Sequence, residues 1–333
     1  MTESLLLAVV TFIAGLAFGP TWLKFLRAAR VGKQLNPSEG EEQKAKEGTP
    51  TMGGVIFLAP IVAVTLALQV ARTGRLFLLL PLGLALVLAA LGAVDDRQTL
   101  VGRDRSAGLP PGAKWAVQIV LCLAVAGALA WYGITQVHVP FVGSFDLPAW
   151  AYIPFAAFVL VATTNATAIT DGLDSLLGTT AAIAFAAFWI IGLLLGYPLS
   201  AGLSATIVGG LLAYLWFNAF PAQVFMGDSG SLPLGGLLGV VALIEREPFL
   251  LLPIGIVYVV EALADILQVL TNKLTSKRMF RTAPVHHHFR QPYRADRWVT
   301  WPRDAWPEVW VVQRFWIVGA VGALVGLLLA VAS

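Results

Sequence analysis

The chain has 333 residues, of which 58% are hydrophobic and only 12% charged, with a formal net charge of +3. Soluble domains carry roughly 25% charged residues, so this chain cannot cover a water-facing surface and must present most of its surface to lipid. The basic excess gathers in a few loops, as membrane orientation requires, which argues against a nucleic-acid partner. The single cysteine, Cys122, excludes an internal disulfide and reads as a buried structural thiol.

A helix that crosses a bilayer needs about 20 apolar residues. Ten stretches approach this, near 4–23, 53–70, 76–94, 115–132, 149–164, 179–196, 200–217, 232–245, 249–271 and 312–331, the fifth and eighth being short. The first has no basic region before it and no small-residue cleavage site after it. Lys24, Arg27 and Arg30 follow instead, so it reads as an uncleaved first span. No repeat period stands out. The expectation is an all-α polytopic membrane protein of about ten transmembrane helices, with residues 1–333 as one integral-membrane domain.

Orientation follows from Lys and Arg in the loops. One set of loops holds Arg27, Arg30, Lys33, Lys44, Lys46, Arg97, Arg103, Arg105 and Lys114, then a run from Lys273 to Arg303. The opposite set holds only Arg72, Arg75 and Arg246. The first set is therefore expected on the cytoplasmic side and both termini in the periplasm. The loop 133–148, without Lys or Arg, fits an outside position. The segment 165–178 also lacks them but falls inside by alternation, and carries Asp171 and Asp174 instead.

Each inside loop holds a polar group with two readings. Thr49-Pro50-Thr51-Met52-Gly53-Gly54 is either an ordinary helix start or a place where glycine amides approach an anion. Asp95-Asp96 ends the third span. A carboxylate inside the membrane costs about 2.5–3.5 kcal/mol, so the pair is either a solvated helix end or a cation site or base, with Lys114 and Gln118 one turn apart on the next span. Asp171 and Asp174, in the run Asn165–Asp174, share one face if helical. They read as a cap and turn, or as acids awaiting a cation. Asp228, among Met226, Gly227, Ser229, Gly230 and Ser231, is either the cap of the eighth span or an oxygen ligand suited to magnesium. His286, His287 and His288 are consecutive, so their side chains diverge, unlike a zinc site. With Arg278, Arg281, Arg290 and Arg294 nearby they suit phosphate binding, or else form a solvated basic loop. Glu261, Asp265 and Gln268 make one helical stripe that must face the protein interior, read as holding helices together rather than as catalytic. Jointly these residues put acids, His and cations at one membrane face, as phosphoryl transfer to a lipid substrate demands.

Thr49–Gly54 (TPTMGG), Val94–Asp96 (VDD), Thr170–Asp174 (TDGLD), Trp216–Leu232, Glu261–Gln268 and Ala283–Phe289 (APVHHHF) together resemble, over nearly the whole chain, the phospho-N-acetylmuramoyl-pentapeptide transferase family. That family sits within the polyprenyl-phosphate sugar-phosphate transferases, which share the Asp motifs. The resemblance implies transfer of phospho-MurNAc-pentapeptide from UDP-MurNAc-pentapeptide to undecaprenyl phosphate, giving lipid I and UMP. It also implies Mg²⁺, a cytoplasm-facing cleft in the bacterial inner membrane and a homodimer. It places Asp228 on the metal and Asp95 and Asp96 at the lipid phosphate, these three forming the catalytic set. Lys46 and Lys114 then contact phosphates. Asp171, Asn218, Phe225, Gln268 and His287 line the nucleotide pocket, and Thr49, Asn165, Asp174, His286 and His288 complete the expected substrate-binding set. The chain departs from the family pattern at Ala168, Ile169 and Ser175, where Asn, Leu and Gly are usual. The segment 293–307, with Trp298, Trp301 and Trp306, is unusual and suggests aromatics at the membrane interface. A related transferase using UDP-GlcNAc and a transporter are the alternatives. The His triplet argues against the first, and acids clustered at one face, without internal repeats, against the second.

Overall fold

The computed structural model describes residues 1–29, 32, 48–71, 74, 76–101 and 109–332. These fold into helices with one small hairpin. In chain order they are α1 (Thr2–Ala28), α2 (Val55–Val64, continuing as a π-helical stretch Thr65–Val70), α3 (Leu79–Val101), α4 (Pro111–Trp131), the hairpin β1 (Gln136–Val139) and β2 (Gly143–Asp146), α5 (Ala149–Thr170), α6 (Leu176–Leu194), α7 (Pro198–Asn218), α8 (Asp228–Ile244), α9 (Leu251–Ile254), α10 (Ile256–Thr275), α11 (Val285–Arg290) and α12 (Glu308–Ala332).

Among the described residues seven helices are long and apolar enough to cross a membrane: α1, α3 to α7 and α12. Pro248–Ile254 and Ile256–Thr275, bent by 84° at Gly255, make an eighth if counted as one span. The two other stretches expected to cross, α2 with its π-helical continuation and α8, are helical but shorter. The fifth stretch is not short: α5 has 22 residues. Its polar end conceals its length, because Thr163, Thr167 and Thr170 turn their hydroxyls back onto the carbonyls of Val159, Thr163 and Ala166, which keeps the helix going without exposing a polar group.

The shortness of α8 has a structural reason. Every residue from Ser229 to Ile244 is buried, so α8 is the central helix, enclosed by protein. Its glycines allow this. A Cβ on Gly235 would lie 2.3 Å from the Thr163 carbonyl oxygen on α5, and one on Gly236 would lie 2.6 Å from Leu88 on α3. Apolar helices gain little by hiding from lipid, so close backbone approach through small residues is what holds them together. The outer helices α1 and α12 instead expose Leu6, Ile13, Ile317, Leu324 and Leu328. The loop 133–148 folds as the β1–β2 hairpin, with Gln136 opposite Asp146, at the end of the bundle away from the start of α8. His138 there meets Glu247 at 2.7 Å.

Candidate active site

The start of α8 is built from three chain segments. Phe225 N donates to the Pro50 carbonyl (2.8 Å), and the amides of Gly53 and Gly54 donate to the carbonyls of Phe225 (2.8 Å) and Met226 (3.1 Å). The glycine amides before α2 therefore join two segments, which favours the helix-start reading of this stretch over the anion one. Only glycine fits: a Cβ on Gly54 would lie 2.2 Å from the Gly230 Cα. Thr49 borders this seam, half-buried.

Asp95 and Asp96 are neighbours on α3, about 100° apart around the helix, and they diverge. Asp95 accepts from Leu109 N (2.8 Å) and from the Lys114 ammonium on α4 (2.9 Å). The same ammonium pairs with Asp228, the first residue of α8. Asp96 accepts from the amides of Asp228 (3.0 Å) and Ser229 (3.1 Å). Asp171 accepts from the Gly227 amide (3.2 Å). Gly227 has φ +71°, and a Cβ there would lie 2.5 Å from Asp96 and 2.7 Å from Thr51. Glycine is thus required by both conformation and space.

The run from Asn165 splits. Asn165 is helical and donates to Gln118 on α4 (2.8 Å). Asp171 and Asp174 lie in the turn after α5, not on one helical face, because the helix ends at Thr170. Asp174 is buried: its carboxylate accepts from Ala222 N (3.0 Å) and its amide donates to Glu308 (3.0 Å) at the start of α12. Asn218 has both ends of its amide engaged by backbone, Ser175 N and the Val224 carbonyl, each at 2.8 Å. Asp174 and Asn218 therefore fix the loop that carries Phe225, itself half-buried.

The three histidines do not converge on one point: the His286 and His287 rings stay together (centroids 4.2 Å apart), while His288 turns to Phe280 (5.6 Å). His286 is fully buried beside Glu261 (3.2 Å), whose carboxylate also accepts from the amides of Val285 (2.7 Å) and His286 (3.1 Å). The His286 ring lies against Gly172, where a Cβ would stand 2.1 Å away, so the His loop abuts the turn that holds Asp171. His288 is buried with both ring nitrogens engaged: Nδ1 accepts from Arg281 N (3.0 Å) and Nε2 donates to the Trp301 carbonyl (2.8 Å). Burial holds its pKa below the usual value, so the ring is neutral. His287 alone of the three stays half-exposed. Gln268 makes a two-point bond to the backbone of Phe280, at 2.9 and 3.3 Å. Glu261 and Gln268 on α10 thus brace the segment that carries the His loop, rather than joining neighbouring helices as the sequence suggested.

Arg281, expected near phosphate, donates instead to the carbonyls of Gln291, Thr300 and Pro302. That ties down the Trp-rich segment. Trp306 stacks on Phe289 (4.8 Å) beneath Arg314 (4.5 Å), and Trp301 meets both rings edge-on, though Trp298 and Trp301 remain exposed. Sequence reasoning missed Glu308 and Gly92. A buried carboxylate in the first turn of the last span was the available signal for Glu308, while nothing local marks Gly92. Lys46 lies outside the described residues, as do Lys44, Arg103 and Arg105.

Residues 78–245 match the Glycosyl transferase family 4 model, and residues 46–58 match Phospho-N-acetylmuramoyl-pentapeptide-transferase signature 1. The chain is 39% identical over 347 residues to the Phospho-N-acetylmuramoyl-pentapeptide-transferase of Chloroflexus aurantiacus (strain ATCC 29366 / DSM 635 / J-10-fl), covering 99% of this chain and 90% of that one. It is 37% identical over 334 residues to that of Shouchella clausii, covering 98% and 97%, and 33% identical over 343 residues to that of Aliarcobacter butzleri, covering 96% and 91%.

Proposed function

Since the chain belongs to the phospho-N-acetylmuramoyl-pentapeptide-transferase family, we propose a division of labour among its residues for moving a phosphosugar from a nucleotide to a lipid. The protein is a multi-pass membrane transferase that passes phospho-MurNAc-pentapeptide from UDP-MurNAc-pentapeptide to undecaprenyl phosphate, forming lipid I and UMP. The observation that carries the assignment of residues is the Lys114 ammonium held between Asp95 and Asp228, at the start of a buried helix.

A divalent cation fits this place. The Asp95 and Asp228 carboxylates already share one positive charge. Among the described residues no three His, Cys, Asp or Glu side chains form a metal cluster. Mg²⁺ commonly takes one or two carboxylates and completes its shell with water and substrate phosphate oxygens. Asp228 would hold it, with Asp95 beside it, and when bound it would neutralise the pyrophosphate charge. An oxygen of the lipid phosphate attacks the sugar-linked phosphorus, the bond to the UMP oxygen breaks, and UMP leaves with the electron pair. Asp95 faces the acceptor phosphate. Lys114 neutralises phosphate oxygens, His287 borders the nucleotide, and Thr49 and Phe225 line its approach.

The acceptor's tail needs an apolar track to this point. A cavity of about 350 Å³ opens where the bend at Gly255 parts α10 from α5. Phe155, Phe158, Phe249, Leu252 and Leu263 line it, together with Thr163 and Ala166. We place the prenyl chain there. The Lys and Arg bias orients the acid cluster to the cytoplasm. If α2 and α8 count as crossings, there are ten spans with both termini periplasmic, in the bacterial inner membrane. A homodimer is implied by family resemblance, and cross-linking tests it.

The decisive assay is purified protein with both substrates and Mg²⁺, scored for UMP release. UMP should appear only when donor, acceptor and metal are all present. Release from UDP-GlcNAc but not from the muramoyl donor would replace the donor assignment.

A further inference from the structure

We propose that Asp96 is a positioning residue that holds Asp228 in place by capping α8 from a neighbouring helix. The proposal deepens the functional reading above and rests on it in one respect, that Asp228 carries the chemistry.

A helix start leaves four backbone N–H groups without an intrahelical partner, and a side chain at the N-cap usually takes one of them. In α8 the N-cap is Gly227, which has no side chain. The four amides are nevertheless all accounted for. Gly227 N donates to Asp171 (3.2 Å) and Gly230 N to the Gly227 carbonyl (3.0 Å), while Ser231 N makes the first intrahelical bond, to that same carbonyl (2.9 Å). Asp228 N and Ser229 N donate to the two oxygens of Asp96, at 3.0 and 3.1 Å. Asp96 lies 132 positions earlier, so the cap is supplied by another helix.

The packing has been cleared for this contact. Gly92 lies one turn before Asp96 on α3, and a Cβ there would sit 2.1 Å from the Asp228 carbonyl oxygen. At Gly227 a Cβ would meet Asp96 itself at 2.5 Å. Two glycines thus let α3 approach the α8 backbone closely enough for one carboxylate to bridge two amides. The negative charge also sits at the positive end of the helix dipole.

The consequence is a division between adjacent acids. Asp95 points at Lys114, within the ion-pair chain that ends at Asp228. Asp96 points at the backbone of Asp228 and Ser229, with each oxygen already accepting an amide. A group held this way is poorly placed to take a proton from a substrate. It fixes where the Asp228 side chain begins, and with it the place of any cation that Asp228 holds. Asp171, on the Gly227 amide, completes the grip on three successive amides.

The test compares Asp96→Asn and Asp96→Ala with the parent in full-length protein. Hydrogen exchange at the Asp228 and Ser229 amides should rise by at least about tenfold in Asp96→Ala, the expected scale of a lost charged hydrogen bond, with α7 unaffected. Asp96→Asn, which keeps one acceptor oxygen, should lie between, and it serves alone if the alanine variant does not fold. UMP release by Asp96→Asn should persist at a lower rate. Half-maximal rate should need more Mg²⁺. Unchanged exchange at the two amides, or an unchanged Mg²⁺ requirement, overturns the proposal. A parent protein that releases no UMP would defeat the functional reading instead, and the exchange comparison would still decide the cap.

Discussion

Lys114, near the start of α4, and Asp228, at the start of α8, form an ion pair across 114 positions of sequence, and the same ammonium reaches Asp95 on α3. Three helix ends are thus joined through one cation, at partial exposure. Removing it leaves two carboxylates facing each other. Lys114→Met should lower kcat/KM by at least about a hundredfold, the scale seen when one group stabilising transition-state charge is lost. Lys114→Arg should not restore it, since a planar fork cannot replace a compact ammonium. Near-parental turnover in the Met variant would place the phosphate contact elsewhere.

Asp228→Asn keeps the size and the backbone cap but removes the ligand charge. It should abolish measurable turnover, a loss of at least about 4 kcal/mol in barrier, at roughly 1.4 kcal/mol per tenfold. The melting temperature should stay close to the parent. Normal rates at ordinary Mg²⁺ concentration would mean that the metal sits away from α8.

The acids were legible in sequence because a carboxylate in an apolar chain is costly and therefore conspicuous. What each acid touches was not. Asp95 and Asp96 look equivalent as neighbours, yet one helical step sends them to an ammonium and to two amides. The pattern of apolar runs found the helices, but it read α5 as short, since threonines that satisfy themselves within a helix look like loop residues. It counted the stretch at α8 as an ordinary short span, although its glycines mark it as the buried centre. Consecutive histidines must diverge, but the sequence does not say which of them turn inward, and the short helix α11 buries two.

That split predicts different failures for His287 and His288. His287→Ala should raise KM for the UDP donor with little change in melting temperature. His288→Ala leaves Arg281 N and the Trp301 carbonyl without their partner, a stability cost of about 1–3 kcal/mol, and should lower the melting temperature. Identical effects on KM and on melting would contradict the assignment.

Cysteine reporters test orientation, with little background because Cys122 is buried. Ser144, exposed in β2, should react with an impermeant thiol reagent outside the cell, and Ala295 should not. Outside labelling of Ala295 would put the His loop, and with it the acid cluster, on the wrong face for cytoplasmic nucleotides.

The opposite end of the bundle carries its own titration. Glu245, just beyond α8, is fully buried, with Ser200 donating to one oxygen (2.7 Å). Burial, with Glu247 nearby adding to it, holds its carboxyl well above the usual range, and the Ser200 bond offsets only part of this. An unfolded Glu titrates near about 4.3. Above that pH the unfolded chain has released a proton that folded Glu245 keeps. The folded state then binds more protons, and stability falls as pH rises toward the folded pKa. Glu247, raised by burial and partly relieved by His138, adds to the same trend. Glu245→Gln removes the titration at one position and still offers an acceptor to Ser200. The variant should therefore melt higher than the parent by a margin that widens from pH 5 to pH 8. A margin that stays constant, or shrinks, would show that Glu245 is ionised in the folded protein.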